Sequence, residues 1–132
     1  MILIVGGIEQ GKKEWAKQHF GLADTQIADG AALDVSSAAE ADFAPYRALY
    51  GLQTLLEHAA SLSDNSREAL LNTLLGLPKD FVVICDEVGL GLVPQQHEDR
   101  EYRELVGRVC CALAAEAQEV WRVFCGIGQR LK

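Results

Sequence analysis

No apolar run in this chain approaches the length of a membrane span. The first, Ile2 to Val5, is four residues long and has no basic flank before it, which argues against a signal peptide as well. Positive charge is also scarce: 12 Lys and Arg stand against 19 Asp and Glu, a formal net charge of −7. A general nucleic-acid binder would show a basic face, so nucleic acid is not an expected partner. Small anions stay open, because a loop of backbone N–H groups can bind phosphate locally. The four cysteines, Cys85, Cys110, Cys111 and Cys125, form no C-x-x-C pair, and the adjacent Cys110 and Cys111 suit neither a usual zinc site nor a simple disulfide. Reduced thiols in a cytoplasmic protein are therefore expected. Internal repeats and low-complexity linkers are missing too, so residues 1–132 read as one domain.

What is present is a core. Hydrophobic residues make up 49% of the chain and charged residues 23%, ordinary for a globular protein. Ile2 to Val5 does not alternate, which predicts a strand buried on both faces, as in a parallel sheet. A helix is expected from about Lys12 to Phe20, with Gly21 at its C-terminal cap. Asp24 to Gly30 suits a short strand ending in a turn. The Ala-, Ser- and acid-rich stretch that follows reads as loop. Pro45 is then expected to open a helix with Leu49, Leu52, Leu55, Leu56 and Ala59 on one face. Asn65 to Gly76 reads as a second helix, capped by Asn65, and Phe81 to Cys85 as a buried strand ending in two acids. A long helix from about Glu98 to Ala117 repeats apolar residues at three-and-four spacing, and Glu119 to Cys125 reads as a last strand. Strands alternating with helices predict an α/β fold with a mostly parallel sheet and ligands beyond its C-terminal edge.

The chemistry-bearing motif is Gly6-Gly7-Ile8-Glu9-Gln10-Gly11-Lys12, directly after the first strand and before the first helix. Glycines at its ends permit close backbone approach, the helix N-terminus offers N–H groups, and Lys12 would reach the β- and γ-phosphates. Glu9 would repel phosphate and is expected to point outward. The next residue is Lys13, where such loops carry the Ser or Thr whose hydroxyl binds Mg²⁺. Lysine has no acceptor. Three outcomes are open: metal held by carboxylates and water alone, Lys13 neutralising phosphate charge itself, or weak or no binding. Asp86 and Glu87 end the buried strand where a nucleotide enzyme places a metal-holding Asp and an orienting acid. Asp29 is the other candidate metal ligand. The plainer alternatives are a turn acid for Asp29, and a turn cap or a pairing with Arg100 or Arg103 for the acid pair. His19, His58 and His97 join no nucleophile constellation. Cys110, beside Val109 on the apolar face, reads as a packing residue.

From Glu87 onward the chain resembles the adenosylcobinamide kinase/adenosylcobinamide-phosphate guanylyltransferase family. The resemblance lies in Glu87-Val-Gly-x-Gly-x-Val-Pro94, in Arg100-x-x-Arg103 leading to Gly107-Arg108-Val109, and in Glu119-Val-Trp121 with Gly126-Ile-Gly128. The N-terminal GGIEQGKK is similar to that family's phosphate loop. The resemblance implies a shortened, divergent member with a three-layer, RecA-like P-loop NTPase fold, a homotrimeric assembly, ATP or GTP with Mg²⁺ as cofactors, and adenosylcobinamide as acceptor. Carried over by position, Gly6, Gly7, Gly11 and Lys12 would hold the triphosphate, with Lys12 and Glu87 as the catalytic pair. The family's guanylylated-histidine segment has no counterpart, so the implied chemistry is kinase-like phosphoryl transfer rather than guanylyl transfer. The alternative is a non-catalytic nucleotide- or corrinoid-binding protein that kept the fold.

Overall fold

The computed structural model describes residues 1–35, 42–89 and 97–132. The elements run β1 (Ile2–Gly6), α1 (Lys12–Phe20), β2 (Ile27–Asp29), β3 (Ala48–Tyr50), α2 (Leu52–Ala59), α3 (Asp64–Leu75), β4 (Val82–Asp86), α4 (His97–Glu116), β5 (Glu119–Phe124) and β6 (Ile127–Arg130). One six-stranded sheet has the order β2-β3-β4-β1-β5-β6. Its first five strands are parallel; β6 returns antiparallel from β5. The C-terminal Gly-Ile-Gly segment thus adds an edge strand to the expected last strand. The turn is Cys125-Gly126, both with positive φ (50° and 74°), the geometry that matches a two-residue hairpin to sheet twist.

The parallel sheet predicted from the alternation of strands and helices is therefore present, and helices cover both of its faces. On β1, Leu3 and Val5 face one core with Val83 and Cys85 of β4 and Val106, Val109 and Leu113 of α4. Ile2 and Ile4 face the other, with Ala16 and Trp15 of α1, Ile84 and Val123. A strand buried on both faces has no polar alternation, which is why Ile2 to Val5 reads as a continuous apolar run.

Two expectations are corrected. Pro45 does not open a helix: Ala48, Leu49 and Tyr50 form β3, paired in parallel with β2 and β4. A chain buried on both sides of a sheet satisfies its backbone by pairing, and this overrides a helical apolar spacing that α2 carries only from Leu52 on. Gly51, at φ 79°, makes the strand-to-helix turn. The cap of α3 is Ser63, whose hydroxyl accepts the Ser66 N–H at 3.2 Å, rather than Asn65, which lies inside the first turn. The helix expected from Lys12 ends with Gly21 in the left-handed region (φ 63°), donating to the Lys17 carbonyl, the glycine cap its sequence suggested. Among the described residues no helix is long and apolar enough to cross a membrane. Parts of two expected loops, residues 36–41 and residues 90–96, which take in the end of the Glu87-to-Pro94 motif, lie outside the described residues.

Candidate phosphate-binding site

The site sits where β1 leaves the sheet between β4 and β5. Gly6 ends β1 paired with Asp86 at the end of β4, and a Cβ at Gly6 would lie 2.3 Å from the Val123 carbonyl oxygen of β5. Only a glycine lets the chain turn out of the sheet this close to its neighbour. Gly7 to Gln10 form the loop, and Gly11, at φ 78°, stands at the N-terminus of α1 with no side chain capping that end. The first N–H groups of a helix have no partner in the helix itself, so this terminus suits an anion.

The hairpin holds the loop from outside. Gly126 N–H donates to the Gln10 carbonyl at 2.9 Å, and Cys125 N–H to the Gln10 side-chain oxygen at 2.8 Å. On the inside, Glu87 N–H donates to the Gly6 carbonyl at 2.9 Å. Among the described residues two non-glycines adopt positive φ, Glu9 at 56° and Cys125 at 50°, one on each side of this contact. Such backbone persists only where the surroundings dictate it. Glu9 and Ile8 are exposed, Ile8 at 72%, so the loop acid points outward as its charge required.

Among the described residues Lys12 is the buried cation, 4% exposed. Its Nζ donates to the Gly7 carbonyl at 2.6 Å and lies 2.5 Å from Asp86 Oδ1. A charge this buried requires such partners. Asp86 is fixed in turn by Gln53 at the start of α2, whose Nε2 donates to Oδ2 at 2.9 Å and whose Oε1 accepts the Asp86 N–H at 3.0 Å. Tyr102 of α4 donates to the Gln53 carbonyl at 2.9 Å. Burial, then the charges of Glu57 and Asp86, push the Tyr102 phenol up to about 12, so it stays a donor.

Glu87 faces the other side of the rim, where Arg122 of β5 holds it at 3.1 and 3.2 Å. Arg103 donates to the Gly89 carbonyl. Asp29 ends β2, exposed, its Oδ1 accepting the Ala31 N–H at 3.0 Å in the turn acid's role. Lys13 places Nζ 5.2 Å from the centroid of the Tyr50 ring. Cys110 Sγ donates to Cys85 Sγ at 3.6 Å inside the core, consistent with packing. That bond and burial hold the Cys85 thiol well above its ordinary value.

The loop residues, Lys12 and Asp86 are thus brought together, with Glu87 adjacent; Asp29 stands two strands away. Gln53, Tyr50, Tyr102 and Arg122 were not singled out from sequence. Gln53 and Tyr50 flank the β3–α2 turn, invisible as long as that segment read as one helix. The donor set does not fit a protein-held Mg²⁺: position 13 has no oxygen, both Asp86 oxygens are engaged, and among the described residues no three of His, Cys, Asp and Glu gather. A cleft of about 820 Å³ between α3 and α4 is lined by six acids, among them Glu57, Glu68, Glu98 and Glu101, against two arginines, Arg67 and Arg108, a balance that disfavours phosphate.

Comparison with known proteins finds a family match that takes in β4 and β5 but not the glycine loop. Residues 48–131 match the family model described as cobinamide kinase/cobinamide phosphate guanyltransferase. The bifunctional adenosylcobalamin biosynthesis protein CobU of Salmonella typhimurium is 39% identical over 69 residues, which is 52% of this chain and 38% of that protein. The Escherichia coli protein of the same description is 40% identical over 65 residues, 49% of this chain and 36% of that protein. The Pseudomonas aeruginosa protein CobP, described likewise, is 35% identical over 69 residues and 40% of its own length.

Proposed function

This chain belongs to the cobinamide kinase/cobinamide phosphate guanyltransferase family, and from that premise we propose that it binds a nucleoside triphosphate, ATP or GTP, on the loop Gly6–Lys13 and transfers its terminal phosphoryl group to a cobinamide-like alcohol. We read the fold as a RecA-like P-loop domain working in the cytoplasm. The single observation that carries the reading is Lys12: a buried ammonium at the root of a glycine loop, beneath the N-terminus of α1 and bonded to the acid that ends β4. An ammonium has three donors, two of them occupied by Gly7 and Asp86. The β- and γ-phosphates would take the third and compete for the Gly7 carbonyl's place. In the transfer, the acceptor hydroxyl oxygen forms a bond to the γ-phosphorus, the bond to the β–γ bridging oxygen breaks, and nucleoside diphosphate leaves. The hydroxyl proton passes to Glu87, which Arg122 holds at the rim. Positioning and charge neutralisation supply most of the catalysis in such reactions.

A second reading, a nucleotide binder without turnover, is favoured by one observation: both oxygens of Asp86 are already engaged. Calorimetric titration of ATP and GTP, followed by an assay for phosphorylated cobinamide, separates the two. Binding with product supports the kinase; binding without product supports the binder. Lys12→Met is expected to lose binding by at least about a hundredfold, the scale of a charge-assisted contact removed from a buried site. Nucleotide affinity unchanged in Lys12→Met, or absent in the folded wild type, would sink the site assignment.

A further inference from the structure

Strand alternation decides which charges the site presents. Asp29 pairs with Tyr50, and Tyr50 with Ile84, two residues before Asp86. The three side chains follow Ile27, Ala48 and Ile84, which pack on the α1 side. Tyr50 therefore stands between the two aspartates, on the middle of three adjacent strands. The Tyr50 phenol is held above its ordinary value first by burial, then by the charges of Asp86, Glu9 and Asp29. Lys13 lies over its ring. A divalent ion bridging the loop to these acids would need the space that an aromatic ring and an ammonium fill. It would also need oxygens that Asp86 has given to Lys12 and Gln53, and that Asp29 shares with its own turn.

We infer that this loop recognises a polyphosphate without a protein-held divalent cation, and that the Lys13 ammonium, positioned on the Tyr50 ring, takes the place of that cation. The inference rests on the phosphate-binding reading above and specifies its ligand: the free polyphosphate anion rather than its magnesium complex. Lys12 and Lys13 bring two positive charges from adjacent residues, one buried under the loop and one at its mouth. Mg²⁺ bound to the ligand would cancel two negative charges and bring a third positive group against the lysines, where both Asp86 oxygens are already engaged. An ammonium over an aromatic face keeps a defined position while leaving its N–H donors for an anion.

The test is titration of inorganic tripolyphosphate, ATP and GTP into the wild-type chain, once with EDTA and once with excess Mg²⁺. Binding in EDTA, weakened by Mg²⁺, is expected for all three ligands. Lys13→Met is expected to weaken the EDTA titration about tenfold or more, and Tyr50→Leu by a smaller factor, with helix content by circular dichroism unchanged. Lys13→Ser is expected to bind more tightly with Mg²⁺ than with EDTA, reversing the preference. Wild-type binding that appears only with Mg²⁺, or that Lys13→Met leaves unchanged in EDTA, overturns the inference and leaves the phosphate site standing. No binding of any ligand under either condition, in a folded sample, overturns both.

Discussion

The first 47 residues lie outside the stretch matched by the family model, and residues 48–131 lie within it. The two regions carry the site in different ways. The unmatched region supplies the loop, Lys12 and Lys13. The matched region supplies nearly everything that holds them: Asp86 and Glu87 from β4, Gln53 from α2, Val123 from β5, and the Cys125-Gly126 turn. The difference teaches that a glycine loop has little shape of its own. Seven residues with three glycines have high backbone entropy, and here the neighbouring strands and the hairpin choose one conformation for them.

That dependence can be broken at the boundary. The largest effect is expected from Gly6→Ala, whose methyl would meet the Val123 carbonyl oxygen of the matched region at 2.3 Å. Backbone cannot move aside as a side-chain tip does, so a loss of about 1–3 kcal/mol is expected in denaturant unfolding. A variant as stable as wild type would mean that the loop is not seated against β5.

Within the matched region, Tyr102→Phe removes the donor to the Gln53 carbonyl and is expected to cost about 1 kcal/mol. It also carries a pH signature. The phenol is pushed up to about 12 in the fold, against about 10 in an unfolded chain. The folded form therefore holds its proton longer, and the stability this brings is present below about pH 10 and lost as pH rises toward 12. Wild type should lose more stability than Tyr102→Phe across that interval; parallel pH curves would contradict the assignment.

The smallest effect is expected from Gln10→Ala, which deletes one exposed contact to the Cys125 N–H and costs no more than about 1 kcal/mol of stability. It sharpens the comparison because the residue is in the unmatched region and its partner in the matched one. Polyphosphate affinity should fall although the loop's backbone N–H groups and both lysines are unchanged. Unchanged affinity would show that the hairpin does not shape the loop.

Much was legible without coordinates. Continuous apolar runs announced β1 and β4 because a central parallel strand is buried on both faces. The spacing of Gly6, Gly11 and Lys12 announced the loop because strand, glycine turn and helix are contiguous in sequence. The segment at Pro45 was misread because β3 is three residues long, too short to show a period, and merges with the helical spacing of α2. Gln53, Tyr50 and Arg122 were illegible for the same kind of reason. Each acquires its role from a partner brought by pairing: Asp86, 33 positions from Gln53; Lys13, 37 positions from Tyr50; Glu87, 35 positions from Arg122.

By itself, then, the sequence determined the alternating α/β pattern, the loop and its basic residues, since local propensity and contiguous motifs need no distant partner. It also determined that Lys13 offers no oxygen to a metal. Only the tertiary structure decided that Lys12 is buried and tied to Asp86, that the hairpin clasps the loop, and that Tyr50, with Lys13 over its ring, lies on the strand between those that end in Asp29 and Asp86. Those outcomes depend on strand order and register, which bring residues dozens of positions apart to the same edge of one sheet.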